Sequence, residues 1–197
     1  MNAPATAERV LLHPGDYRVS DRPLLMSTLL GSCVAVCLYD PIKRVMGMNH
    51  FLLAERRHAG DQPVLASEAG RYGIHAMELL INAMLRKGAQ RSRLQAKAFG
   101  GGNVLGSKCT GEDGFRCVGT TNVAFIRDFL SRDRIPLVAA DLGGNHGRQI
   151  HFSGDDYSVY VRQIPIQQGR QVIEQERLYW RESLESHEQP KSDVDFW

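Results

Sequence analysis

The chain lacks most of the features that assign a protein at sight. No apolar run approaches the ~20 residues that a bilayer-spanning helix needs, and the opening MNAPATAERVLLHPG has neither the basic start nor the apolar centre of a secretory leader. Membrane insertion is therefore not expected, and the expected compartment is the cytoplasm. An excess of either charge is also missing. With 24 Lys and Arg against 22 Asp and Glu, the formal net charge is +2, which gives no electrostatic argument for a nucleic-acid partner. Cysteine is scarce: Cys33, Cys37, Cys109 and Cys117 are the only four. In a reducing compartment these are packing residues, metal ligands or nucleophiles before they are disulfides. No internal repeat is present. What remains, 43% hydrophobic and 23% charged residues, is the composition of one ordinary globular domain.

Residues 1–15 show no periodicity and end in the turn signal HPGD, so they read as a flexible arm. CVAVCLYD and RVMGMNHFLL are short, apolar and rich in β-branched residues. The DPIK between them opens with Asp-Pro, and the three segments together read as a hairpin. The polar stretch 54–67 reads as an exposed loop. A helix follows, capped by Ser67, with Tyr72, Ala76, Met77, Leu80, Ala83 and Met84 on one face, Arg86 and Lys87 in its last turn and Gly88 beyond it. RLQAKAFGGGNVLG reads as a strand entering a glycine loop. A second helix is expected from Thr121 or Asn122, ending before RIP. PLVAADLGG, RQIHFSG and YSVYVRQI are three more strand candidates. The sum is an α+β domain with several strands and two main helices, followed by a charged extension, 167–197, that is partly helical or disordered, with one peripheral helix around QVIEQERLYWRESL.

Two common chemistries fit poorly. Cys33-x3-Cys37 and Cys109-x7-Cys117 are not a repeated zinc knuckle, and on one strand Cys33 and Cys37 would stand roughly 13 Å apart at ~3.3 Å per residue. No metal is expected. Gly101 and Gly106 have P-loop spacing, but Ser107-Lys108 reverses the order that the motif needs, and no helix follows to receive a phosphate. The glycine loop therefore reads as packed under another element, and no cofactor is expected.

The thiol of Cys33 stands out by position. A lone cysteine in an apolar strand is by default a packing residue, yet Gly31 and Ser32 place Cys33 where the chain changes direction. Successive backbone N–H groups at such a bend can face a developing oxyanion. If DPIK is a two-residue turn, Asp40 faces Lys43 and Cys33 falls opposite His50, with Cβ atoms ~5 Å apart. Among seven histidines, His50 is the one this register brings to the thiol. A cysteine–histidine pair supports acyl transfer through a thioester. Ser27, Thr28 and Asn49 are nearby groups that can orient the imidazole, and Cys37, Cys109 and Cys117 are assigned to packing.

LLGSCVAVCLYDP, GMNHFLL, KAFGGGNVL, NVAFIRDFLSRDRIPLVAADLGGNHGRQIHF and VYVRQI resemble, in order and spacing over roughly residues 10–165, the CheD family of bacterial chemoreceptor glutamine deamidases. The resemblance implies a CheD-like domain over 16–166 with a layered α/β sandwich and a mixed, largely antiparallel sheet, similar to cysteine-dependent deamidating toxins. It implies hydrolysis of glutamine side chains in the cytoplasmic helical region of methyl-accepting chemotaxis receptors, with release of ammonia. The family's catalytic cysteine and histidine map onto Cys33 and His50. Its threonine six positions before the cysteine maps onto Ser27, with Thr28 adjacent. Some members bind the phosphatase CheC, and Arg56, Arg57 and His58 are candidates for contact with an acidic receptor surface. A non-catalytic module that docks on receptors or CheC is the alternative function.

Overall fold

The computed structural model describes residues 8–53, 65, 67–104 and 118–188. Four strands, β1 (Arg9–Leu11), β3 (Leu25–Leu30), β8 (Arg148–Ser153) and β9 (Val159–Gln163), form one sheet in the order β1-β3-β8-β9. Five more form a second sheet in the order β2-β5-β4-β6-β7: β2 (Tyr17–Ser20), β4 (Val34–Asp40), β5 (Val45–Phe51), β6 (Gln95–Gly100) and β7 (Leu137–Leu142). The pairs β1–β3 and β6–β7 are parallel and the rest antiparallel. Three α-helices, α1 (Glu68–Arg86), α2 (Val118–Arg132) and α3 (Ile166–Glu188), and a short 3-10 turn at Arg91–Arg93 complete the described elements. The α+β class with a mixed, largely antiparallel strand arrangement is as the sequence predicts. Its strands divide over two sheets, and a third long helix joins the two expected.

Strand parity sets the layers. β4 is buried at every position because both of its faces are covered. Cys33, Ala35, Cys37 and Tyr39 pack with Met46, Met48 and Leu52 against Met26, Leu30, Ile150 and Phe152 of the four-stranded sheet. Val34, Val36 and Leu38 face the other way, onto Met77, Leu80 and Met84 of α1 and Phe125, Ile126 and Phe129 of α2. The layers are therefore sheet, sheet and helices.

The hairpin exists with a shifted register. Asp40 pairs with Val45 and Ala35 with His50, so four residues rather than two make the turn. Asp40 is the cause: its carboxylate accepts from the N–H groups of Ile42 and Lys43, and Arg44 closes the turn at φ 54°. The shift displaces Cys33 from its expected place opposite His50. It is a shift of two, so Cys33 and His50 still share a face.

Ser67 caps α1, accepting from the Gly70 N–H at 3.1 Å, and Gly88 follows at φ 93°. α2 starts at Val118, ahead of the expected Thr121. Val118 and Gly119 are poor helix formers that burial holds in place. Within the expected arm, Arg9–Leu11 instead forms β1, and Gly15 and Asp16 bond the backbone of His50 on either side. α3 does not lie at the periphery: Ile173 and Trp180 enter the core between the sheets. The loop expected at 54–67, with Arg56, Arg57 and His58, falls outside the described residues except for 65 and 67, as do Cys109 and Cys117.

Candidate functional site

The chain passes from the four-stranded to the five-stranded sheet at Gly31–Cys33, between β3 and β4. The glycine loop after β6 packs beneath this crossing. The N–H of Gly101 bonds the Cys33 carbonyl and that of Gly102 the Gly31 carbonyl, each at 2.7 Å. Gly100 has φ 106°, and a Cβ there would stand 2.2 Å from the Cys33 oxygen, so only glycine admits so close an approach. Arg148 braces the loop from below. It is buried, paired with Asp141 by two hydrogen bonds (2.8 and 2.9 Å), and donates to the Gly143 carbonyl. The LGG-N-GR segment thus secures the floor of the crossing.

His50 is oriented by β3. Its Nδ1 lies 2.8 Å from Thr28 Oγ1, and that hydroxyl donates its one proton to the Leu12 carbonyl at 2.8 Å. Thr28 is therefore left to accept, so Nδ1 carries the ring proton and Nε2 presents a lone pair. Nε2 is buried and has no hydrogen-bond partner among the described residues. Burial holds the imidazole neutral, with its pKa pushed down to about 4. Ser27, the other hydroxyl candidate, points to the opposite face of β3 and meets His151 Nδ1 at 2.7 Å instead. Asn49 accepts from the Val36 N–H at 3.2 Å and faces α1.

Cys33 is fully buried and faces His50. Its Sγ, a ring nitrogen of His50 and a carboxylate oxygen of Glu176 lie within 4.8 Å of one another. Glu176, on α3, was not among the expected site residues. Its carboxylate accepts from the N–H of Gly31 (2.7 Å), of Ser32 (2.6 Å) and of Cys33 (3.2 Å), and from the Ser32 hydroxyl (2.7 Å). The N–H groups of the bend at Gly31 and Ser32 thus converge on one carboxylate and form an anion nest. Cys33, His50 and Glu176 are also donors that could hold a metal ion. However, both Glu176 oxygens are already committed to N–H and O–H donors. Desolvation pushes the Cys33 thiol well above its ordinary value, and the negative charge of the Glu176 carboxylate beside it pushes it further.

Two other groups were not read from the sequence. Asn122 of α2 donates to the Ser32 carbonyl at 2.8 Å and accepts from the Leu53 N–H at 2.9 Å, tying the crossing to the end of β5. Leu12 contributes only its carbonyl, which no side-chain pattern reveals. Glu176 did leave a signal. Val172, Ile173 and Trp180 are buried at helical spacing, and Glu176 falls on that same stripe.

A neutral imidazole with a free Nε2, a thiol on the same face and three converging N–H groups, set between two sheets, are groups with which thiol acyl transfer can be carried out. The chain belongs to the CheD family: the model described as CheD chemotactic sensory transduction matches residues 52–163. The "Probable chemoreceptor glutamine deamidase CheD 1" of Geobacter sulfurreducens is 46% identical over 95% of this chain and 93% of its own length. The corresponding CheD 2 of Shewanella oneidensis is 52% identical over 77% and 74%, and the CheD of Agrobacterium fabrum 46% over 75% and 76%. No helix among the described residues is long and apolar enough to cross a membrane.

Proposed function

We propose that this protein is a cysteine-dependent protein-glutamine amidohydrolase. It converts glutamine side chains in the cytoplasmic helical region of methyl-accepting chemotaxis receptors to glutamate, releasing ammonia. The observation that carries the reading is the meeting within 4.8 Å of Cys33 Sγ, a His50 ring nitrogen and an oxygen of the carboxylate seated in the Gly31–Cys33 nest, together with the deamidase names of the relatives. The catalytic unit is residues 16–166, with the Leu12 carbonyl contributed from the segment before it.

His50 Nε2 takes the proton of Cys33 Sγ, and the thiolate attacks the carboxamide carbon. Charge on the carboxamide oxygen develops against the N–H groups of Gly31, Ser32 and Cys33. The imidazolium returns its proton to the departing nitrogen, which leaves as ammonia. Water, deprotonated by Nε2, then attacks the thioester to give glutamate and the free thiol. Thr28 acts through His50 as a positioning residue, holding the tautomer that leaves Nε2 basic.

The test is ammonia release and glutamine-to-glutamate conversion, followed by mass spectrometry on receptor cytoplasmic fragments. Conversion is expected with the native chain and is lost with Cys33→Ala and with His50→Ala. The full burial of Cys33 favours a second reading, a module that docks on receptors or on CheC without chemistry. Receptor fragments that are bound but never modified would put that reading in place of the enzyme.

A further inference from the structure

The nest that would hold the oxyanion is already filled. A glutamate side chain enters it from a helix, with both oxygens bonded to the three N–H groups of Gly31–Cys33 and the Ser32 hydroxyl. We propose, building on the deamidase reading, that α3 is an internal product mimic: Glu176 sits as the product glutamate would, α3 lies in the groove that takes the substrate helix, and the enzyme works only when α3 is displaced.

Four independent features of the site agree with this. Cys33, His50 and Glu176 are 0%, 2% and 1% exposed, so no glutamine from another chain reaches the thiol while α3 is seated. A Glu176 carboxylate oxygen lies within 4.8 Å of both Cys33 Sγ and a ring nitrogen of His50, so it takes the place beside the thiol and the imidazole that a reacting side chain needs. Glu176 interrupts the apolar stripe of Val172, Ile173 and Trp180, where a helix that only covered the core would place another apolar side chain. Gly31 is fitted to the contact, since a Cβ there would stand 2.5 Å from Ile173 Cδ1 and 2.9 Å from Glu176 Oε2. The groove is thus shaped for a helix carrying one carboxyl or carboxamide side chain between apolar neighbours. That is the form in which a receptor helix would offer its glutamine.

The decisive experiment replaces the mimic with a substrate. In the full chain carrying Glu176→Gln, the side chain in the nest becomes a carboxamide beside Cys33. The Cys33 Sγ–Cδ bond forms, the Cδ–N bond breaks, ammonia leaves with the proton carried by His50, and water hydrolyses the thioester to glutamate. Mass spectrometry of the peptide spanning position 176 is expected to find glutamate, or a thioester linking it to Cys33, and to find glutamine when Cys33→Ala is added. Glutamine that persists in the folded chain with Cys33 intact would overturn the proposal.

A second arm reads the closure. Glu176→Ala, and separately Ile173→Ala, which loosens α3 while leaving the Glu176 carboxylate and the nest N–H groups in place, should raise kcat/KM on receptor fragments about tenfold if α3 is seated some nine-tenths of the time. The Cys33 peptide should be alkylated faster in both. Native and substituted chains that deamidate at equal rates, with the carboxamide of the Glu176→Gln chain unconverted, would refute the mimic and leave the enzyme standing. If no form deamidates any fragment, the deamidase reading falls and the mimic with it.

Discussion

Ser27 and Thr28 are neighbours on β3 whose side chains point to opposite faces, and so they meet different histidines. The family resemblance maps its threonine onto Ser27 with Thr28 adjacent and leaves both open, and strand alternation gives His50 to Thr28. Thr28→Val keeps the shape and removes the acceptor of the ring proton, leaving a buried N–H unpaired. Receptor-fragment deamidation by that variant is expected to fall by about 10², while Ser27→Ala stays within about twofold because it touches the other histidine. The reverse pattern would move the orienting role to Ser27. His50 also carries a pH signature. The unfolded chain takes up a proton at this residue near pH 6.5, which the native chain, with its pKa pushed down by burial, takes up only near pH 4. Stability is therefore lost as the pH falls through that window, by of the order of 3 kcal/mol, and the contribution levels off below it. Urea midpoints measured from pH 7 to pH 4 should fall less steeply for His50→Gln than for the native chain. Parallel slopes would refute a buried neutral imidazole.

α1 and the β4–β5 hairpin were legible because their signals are local. A serine cap, an apolar stripe and a closing glycine define α1 within about twenty residues. The register of the hairpin was not legible, since it depends on the side chain of Asp40, which organises a longer turn than Asp-Pro alone suggests. The carboxylate accepts from Ile42, Lys43 and Gln90 N–H groups and from Arg93. Burial pushes its pKa up, but Arg93 and the three N–H donors outweigh this and hold it down at about 2. Asp40→Ala is expected to cost about 3 kcal/mol by urea unfolding, as for a buried charge pair broken on one side. Arg44→Gly, at φ 54°, should instead leave stability unchanged or raise it by up to about 1 kcal/mol. A loss of more than that would show that the Arg44 side chain, and not the backbone angle, holds the turn. β1 and β2 escaped detection because they are three and four residues long and pair at sheet edges, where little burial marks the sequence.

The two sheets are joined by contacts that no short window contains. β3 pairs with β8 across more than a hundred residues, with Ser27 set against His151, and Glu176 reaches Gly31 from 145 positions away. This is why the thiol, the imidazole and the bend stood out as candidates in the sequence, while the carboxylate that fills the bend left only its place on an apolar stripe of α3. It also makes Arg148 a point of failure for the whole assembly, since it holds the glycine loop beneath the crossing between the sheets. Arg148→Met leaves Asp141 without its partner and the Gly143 carbonyl without its donor. A loss of about 1–3 kcal/mol is expected from the carbonyl left without its donor, accompanied by slower deamidation as the floor under Cys33 loosens. A stable chain with native activity would show that the glycine loop holds itself.

The position of α3 in the chain has a consequence in time. Every described strand of both sheets precedes it, and its 23 residues are the last described element to be made. At ordinary translation rates those residues take roughly 1–5 s to synthesise. The thiol can therefore be covered by α3 only after every other described element has been made, so closure of the site is the last step open to the chain.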